Sequence, residues 1–91
     1  MNPVATQFGT NLRYCRRKAD LSQEELGFAA GLHRTEIGLL ERGERVPRID
    51  TLVKVAAGVT VPPGELLDGI EWKSGTVIRG GFSVAHIEGG R

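Results

Sequence analysis

The stretch from Ser22 to Arg48 constrains this 91-residue chain more than any other. Ser22 is followed by Gln23, Glu24, Glu25 and the apolar Leu26. A short hydroxyl in that place can accept hydrogen bonds from the free N–H groups of a helix's first turn, and the carboxylates complement its positive end. The pattern predicts that a helix starts there. Leu26, Ala29 and Ala30 repeat at three and four residues and share one face, after which Gly31 offers the positive φ that a tight turn needs. Leu32, Ile37 and Leu40 then form a second short apolar stripe, which ends at Gly43 and Pro47. Small residues at Gly27, Ala30 and Gly31 let the two helices approach, while Leu26, Leu32, Ile37 and Leu40 supply a shared core. The spacing is that of a helix-turn-helix. On the second helix Thr35 and Leu39 lie opposite Ile37 and Leu40, with Arg34, Gly38 and Arg42 on one flank. That face is free to meet a partner.

In Leu21-Ser22-Gln23-Glu24-Glu25-Leu26, Ala30-Gly31-Leu32-His33-Arg34-Thr35-Glu36-Ile37, Leu40-Glu41-Arg42-Gly43 and Pro47 the chain resembles the lambda-repressor/Cro-like (XRE-type) helix-turn-helix DNA-binding domains. The resemblance runs from about Phe8 to Leu67. It implies an all-α, five-helix domain. Departures from the family pattern are Gly27, where Ala is usual, and Asp20 and Thr60, where Gly is usual. None of them touches the recognition face.

The resemblance also implies roles. Double-stranded DNA is the expected partner, bound by a homodimer at a palindromic site, because one such motif spans only a few base pairs. Arg34 and Thr35 match positions that read base edges: Arg can bond guanine O6 and N7 together, Thr offers a hydroxyl or a methyl, and Leu39 can pack on a thymine methyl. Gln23 matches a position that contacts phosphate and braces the recognition helix. Arg16 and Glu41 match a pair that ties helix one to the end of that helix. His33, first in the recognition helix, is expected to cap it or to meet phosphate. Glu36 reads either as a solvated charge or as an acceptor from cytosine. Arg42, Arg45 and Arg48 are phosphate candidates opposed by Glu44, and Arg13 and Arg17 on helix one are either solvated or phosphate-bound.

Charge gives little help, since 12 Lys and Arg face 11 Asp and Glu. Distribution says more: eight of the basic residues lie before Ile49, among six acids, so a local basic surface is open to the fold. One cysteine, Cys15, allows no internal disulfide, and no Cys/His spacing suggests a metal site. Without an apolar leader or a spanning run, the expected compartment is the cytoplasm. Nothing in the residues suggests a nucleophile, a cofactor or a small-molecule effector domain, so an enzyme is not expected.

Helix one is expected from Val4 to Lys18, burying Phe8, Leu12, Cys15 and Ala19. Helix four follows Pro47 and is expected to bury Ile49, Leu52, Val53 and Ala56. Pro62-Pro63-Gly64-Glu65-Leu66-Leu67 suits a short fifth helix whose two leucines cap the core, with Gly69 ending it. A DNA-binding domain over 4–69 results. In the tail, 70–91, Trp72 is expected to cover the core's edge. Thr76–Arg79 and Phe82–Ile87 read as strands around a Gly80-Gly81 turn. That tail is either a short hairpin or an extended segment. A lone hairpin is marginal, so it should lean on the body or pair with a second chain. The alternative function is an antitoxin-type interaction module whose tail binds another protein.

Overall fold

The computed structural model describes residues 2–75 and 80–84. Four α-helices, α1 (Pro3–Lys18), α2 (Gln23–Ala30), α3 (Arg34–Glu41) and α4 (Ile49–Gly58), are followed by a 3-10 turn (Pro63–Leu67) and two strands, β1 (Ile70–Lys73) and β2 (Gly81–Val84). The expected fifth helix is thus a single 3-10 turn. Pro62 and Pro63 donate no backbone hydrogen bond, and Gly64 disfavours helix, so five residues do not reach an α-helical ladder.

The helices begin as their sequences suggest. Asn2 accepts from Val4 and Ala5 N–H ahead of Pro3, and Ser22 with Glu25 forms a reciprocal capping box. All four helices also close in the same way, with a left-handed residue: Asp20 (φ 61°), Gly31 (69°), Gly43 (73°) and Thr60 (63°). In each, the next N–H reaches back to a carbonyl of the last turn: Leu21 to Arg16, Leu32 to Gly27, Glu44 to Leu39 and Val61 to Ala56. Leu21, Leu32 and Val61 then fold in against the core, which completes a Schellman-type ending. Asp20 and Thr60 stand in positions that glycine would fill without strain.

The core joins Phe8, Leu12 and Cys15 of α1, Leu26 and Ala30 of α2, Ile37 and Leu40 of α3, Val55, Ala56 and Val59 at α4, and Leu66 of the turn. Two glycines let backbones touch. A Cβ on Gly9 would lie 2.4 Å from the Leu40 carbonyl oxygen, and one on Gly27 would lie 2.6 Å from that of Leu32. With alanine at position 27 this chain's turn would have to move off α2.

Several expected core positions are exposed. Ala19 and Ala29 face solvent. On α4 the inward stripe is Leu52, Val55, Ala56 and Val59, while Ile49 is 81% and Val53 50% exposed. Leu66 is fully buried, but its neighbour Leu67 points outward at 41%.

The hairpin exists with a different register. Ile70 pairs with Val84, Glu71 with Ser83, Trp72 with Phe82 and Lys73 with Gly81, antiparallel. The first strand therefore precedes the expected run Thr76–Arg79, which lies outside the described residues together with 85–87. Gly80 and Gly81 lead into β2 instead of forming the turn. Gly80 is needed beneath the Trp72 indole, where a Cβ would come within 2.3 Å of the ring. Alternation puts Ile70, Trp72, Phe82 and Val84 on one side and Glu71, Lys73 and Ser83 on the other. Ile70 joins the core, but Trp72 and Phe82 stay more than half exposed and stack edge-to-face at 5.1 Å. Trp72 thus leaves most of its surface uncovered instead of closing over the core's edge.

Candidate nucleic-acid interface

The recognition helix α3 is held from behind by a buried carboxylate. Glu41, in its last turn, has a side chain with no solvent exposure. Arg16 donates Nε to its Oε2 at 2.6 Å and Nη2 to its Oε1 at 3.0 Å, while Gln23 Nε2 (3.1 Å) and Arg13 Nε (3.4 Å) also reach Oε1. The remaining Arg16 nitrogen, Nη1, donates to the Leu21 carbonyl at 2.8 Å. One guanidinium therefore links α1, the α1–α2 link and the end of α3. Burial pushes the Glu41 pKa up, but the donors from Arg16 and Gln23, the Arg16 charge and Arg13 outweigh it and hold the carboxyl below its ordinary value. The group is ionised and fully partnered.

With its rear fixed, α3 presents Arg34 and Thr35 outward at its N-terminal end and a half-buried Leu39 one turn later. His33 caps the helix: its Nδ1 accepts from the Thr35 N–H at 3.0 Å, which leaves the other ring nitrogen as a donor. Gly38, expected on the flank of this face, is buried. A Cβ there would meet the Arg42 guanidinium at 2.9 Å, so Arg42 lies across the helix at that point.

The arginines around α3 each face an acid. Arg34 Nη1 is 3.8 Å from Glu24, Arg42 Nε 2.7 Å from Glu44, Arg45 Nη1 2.5 Å from Glu36 and Arg48 Nε 3.4 Å from Asp50. Most of these side chains are at least half exposed, so the pairs are weak and exchangeable for phosphate. The Glu36 carboxylate is the more enclosed partner, 23% exposed, and its contact with Arg45 ties the loop after α3 back to the helix. Arg17 is exposed in the last turn of α1, whereas Arg13 and Gln23 turn toward Glu41.

Sequence reasoning missed Phe28. It is 91% exposed and borders a shallow hollow with Glu24, Leu32, His33 and Arg34, beside the start of α3. Its place two residues off the Leu26–Ala30 stripe was the available signal. Among the described residues there is no cluster of His, Cys, Asp and Glu able to hold a metal ion, and no helix long and apolar enough to cross a membrane.

A capped helix-turn-helix braced by Glu41, with a polar recognition face turned outward, defines a lambda-repressor-like, sequence-specific DNA-binding transcriptional regulator. The chain belongs to the helix-turn-helix family HTH_3, whose model matches residues 12–66. It is 40% identical over 68 residues to control protein C.BamHI of Bacillus amyloliquefaciens, covering 74% of this chain and 84% of that protein. The crystal structure of the restriction-modification controller protein C.AhdI from Aeromonas hydrophila superposes with a TM-score of 0.67 at 39% identity, over 68% of this chain and 94% of that one. The P22 c2 repressor bound to a synthetic operator gives a TM-score of 0.64 at 29% identity, over 68% and 94% of the two chains.

Proposed function

We propose that this regulator is a controller of a restriction-modification system that binds a palindromic operator as a homodimer inside the cell, each subunit reading one half-site with Arg34, Thr35 and Leu39. The observation that carries the reading is α3 itself, whose three outward residues stand on a helix fixed from behind by Glu41, in a chain similar to control proteins along most of their length. That similarity favours a regulator over an antitoxin-type module. Arg42, Arg45, Arg48, Arg17 and the free nitrogen of His33 supply phosphate contacts, the arginines by exchanging their acidic partners. Gln23 and Arg13 are oriented through Glu41, to which each gives one N–H, and each keeps further N–H donors for phosphate.

A dimer is supported by apolar surface that one subunit does not cover. Ile49 and Val53 lie one turn apart on α4 with Leu67 on the adjoining turn, and Trp72, Phe82 and Val84 line the hairpin. Selection of bound sequences from random DNA tests the reading. Recovery of a two-fold symmetric site is the expected result, and recovery of no enriched sequence would overturn it. Truncation after Asp68 followed by sedimentation separates the two surfaces. Loss of the dimer assigns the interface to the hairpin, and its retention assigns it to α4 and Leu67.

A further inference from the structure

Among the described residues the buried polar side chains are Gln7, Asn11 and Glu41, and of these Asn11 on α1 is turned away from the Glu41 cluster. Its side chain is fully buried, and its neighbour Gln7 is only 6% exposed. Asn11 Nδ2 donates to the carbonyls of Leu66 at 3.0 Å and Asp68 at 2.9 Å, 55 and 57 residues away in sequence. Its Oδ1 accepts from Gln7 Nε2 at 3.1 Å. All three bonds fix one orientation of the amide, because only the nitrogen can serve two carbonyls and only the oxygen can serve Gln7.

The two carbonyls bracket Leu67. Holding Leu66 and Asp68 to α1 forces the residues between and beside them into a set order: Leu66 points into the core and Leu67 points out. The chain then turns at Gly69, with φ 82°, and enters β1 at Ile70. Of the candidate self-association residues, Leu67 lies within the segment that Asn11 grips and the hairpin follows it, whereas Ile49 and Val53 precede it on α4. Within the 3-10 turn only Leu66 is buried, and the next inward side chain is Ile70 at the start of β1. Directional hydrogen bonds from a buried amide add register to that packing.

We infer that Asn11 is a positioning residue for dimerisation: through its bonds to the Leu66 and Asp68 carbonyls it sets the direction in which Leu67 and the hairpin are presented to a second copy of this chain. The inference rests on the homodimer reading above. It assigns no contact with DNA to Asn11.

The test uses the full chain with Asn11→Leu, which keeps a branched side chain and removes both donors. Dimer dissociation is followed by sedimentation, and binding is measured on DNA carrying one half-site and two. The expected result is a rise of about tenfold or more in the dimer dissociation constant and loss of cooperative binding to the two-half-site DNA, with single-half-site affinity changed less than about twofold. Gln7→Met is the milder second variant, since it frees the Asn11 amide to turn without deleting it; a smaller shift in the same direction is expected. If Asn11→Leu does not fold, Gln7→Met decides, and a dimer constant equal to wild type in that variant overturns the inference. Equal losses on one and two half-sites would mean that Asn11 only stabilises the fold. A monomeric wild-type chain sinks the dimer reading and this inference together, whereas a dimeric wild type with an equally dimeric Asn11→Leu sinks this inference alone.

Discussion

Thr60→Gly should make this protein more stable, although glycine is usually costly. Thr60 closes α4 with φ 63°, a conformation that a β-branched residue adopts only under strain. Its N–H bonds to the Ala57 carbonyl at 3.1 Å, and Val61 N–H bonds to that of Ala56 at 3.0 Å, so the backbone cannot relax without breaking the helix ending. The side chain is exposed, so its removal leaves no cavity. Relief of left-handed strain contributes about 1–2 kcal/mol. The greater freedom of glycine in the unfolded chain offsets about 0.4–1 kcal/mol of that. A net gain of about 0.5–1 kcal/mol remains, which in a domain of this size raises the thermal midpoint by about 2–8 °C. Thermal unfolding followed by circular dichroism measures it. Asp20→Gly, at φ 61°, should gain less, because a short polar side chain tolerates this region better. Lys54→Gly, exposed within α4, serves as the opposite control and should lose about 1 kcal/mol. A Thr60→Gly midpoint at or below wild type would refute the strain argument.

Four further outcomes are expected. Arg34→Ala should cost about 1–3 kcal/mol of affinity for cognate DNA and much less for random DNA, measured by titration; equal losses on both would reduce Arg34 to a phosphate contact. Arg42→Ala should weaken both complexes and flatten the dependence of binding on salt, and an unchanged slope would remove it from the interface. Leu40→Ala, fully buried where α2 and α3 meet the rest of the core, should cost about 2–5 kcal/mol in denaturant unfolding, and a wild-type midpoint would contradict that packing. Because the folded-state pKa of Glu41 lies below 4.5, its contribution to stability is complete above that value and is lost as pH falls through the lower, folded-state one. Acid titrations of stability should therefore show a steep fall below about 4.5 that is shallower in Glu41→Gln, a variant already weakened at neutral pH by the stranded Arg16 charge; parallel curves would mean that other carboxyls control acid unfolding.

The helix-turn-helix was legible because its signals are local and agree with one another. Ser22 and Glu25 cap, Gly31 turns, and Leu26, Ile37 and Leu40 have few alternative faces to choose. The pairing of Arg16 with Glu41 came from resemblance, since no periodicity links residues 25 apart. Helix α4 was read in the wrong phase for a physical reason: Ile49, Leu52, Val53, Val55, Ala56 and Val59 are apolar on nearly every side, so spacing alone does not separate the core stripe from an outward one. The hairpin register failed differently. Gly80-Gly81 looks like a turn, but the close approach of Gly80 to the Trp72 ring and the pairing of Trp72 with Phe82 are tertiary facts that leave no local mark. Asn11 was invisible for the same reason, as its partners are backbone carbonyls far along the chain.

The contact at Gly9 bears on how such a protein can be reprogrammed. There α1 meets α3 backbone to backbone, and Glu41 locks the same junction, so α3 is held chiefly from behind, while Arg34 and Thr35 are exposed and Leu39 is half-buried. On the proposed reading, sequence preference and the brace of the fold are therefore carried by largely separate residues. A library randomised at those three positions should consist mostly of folded members with altered targets, which makes the scaffold a chassis in which new operators can be selected without first repairing the fold.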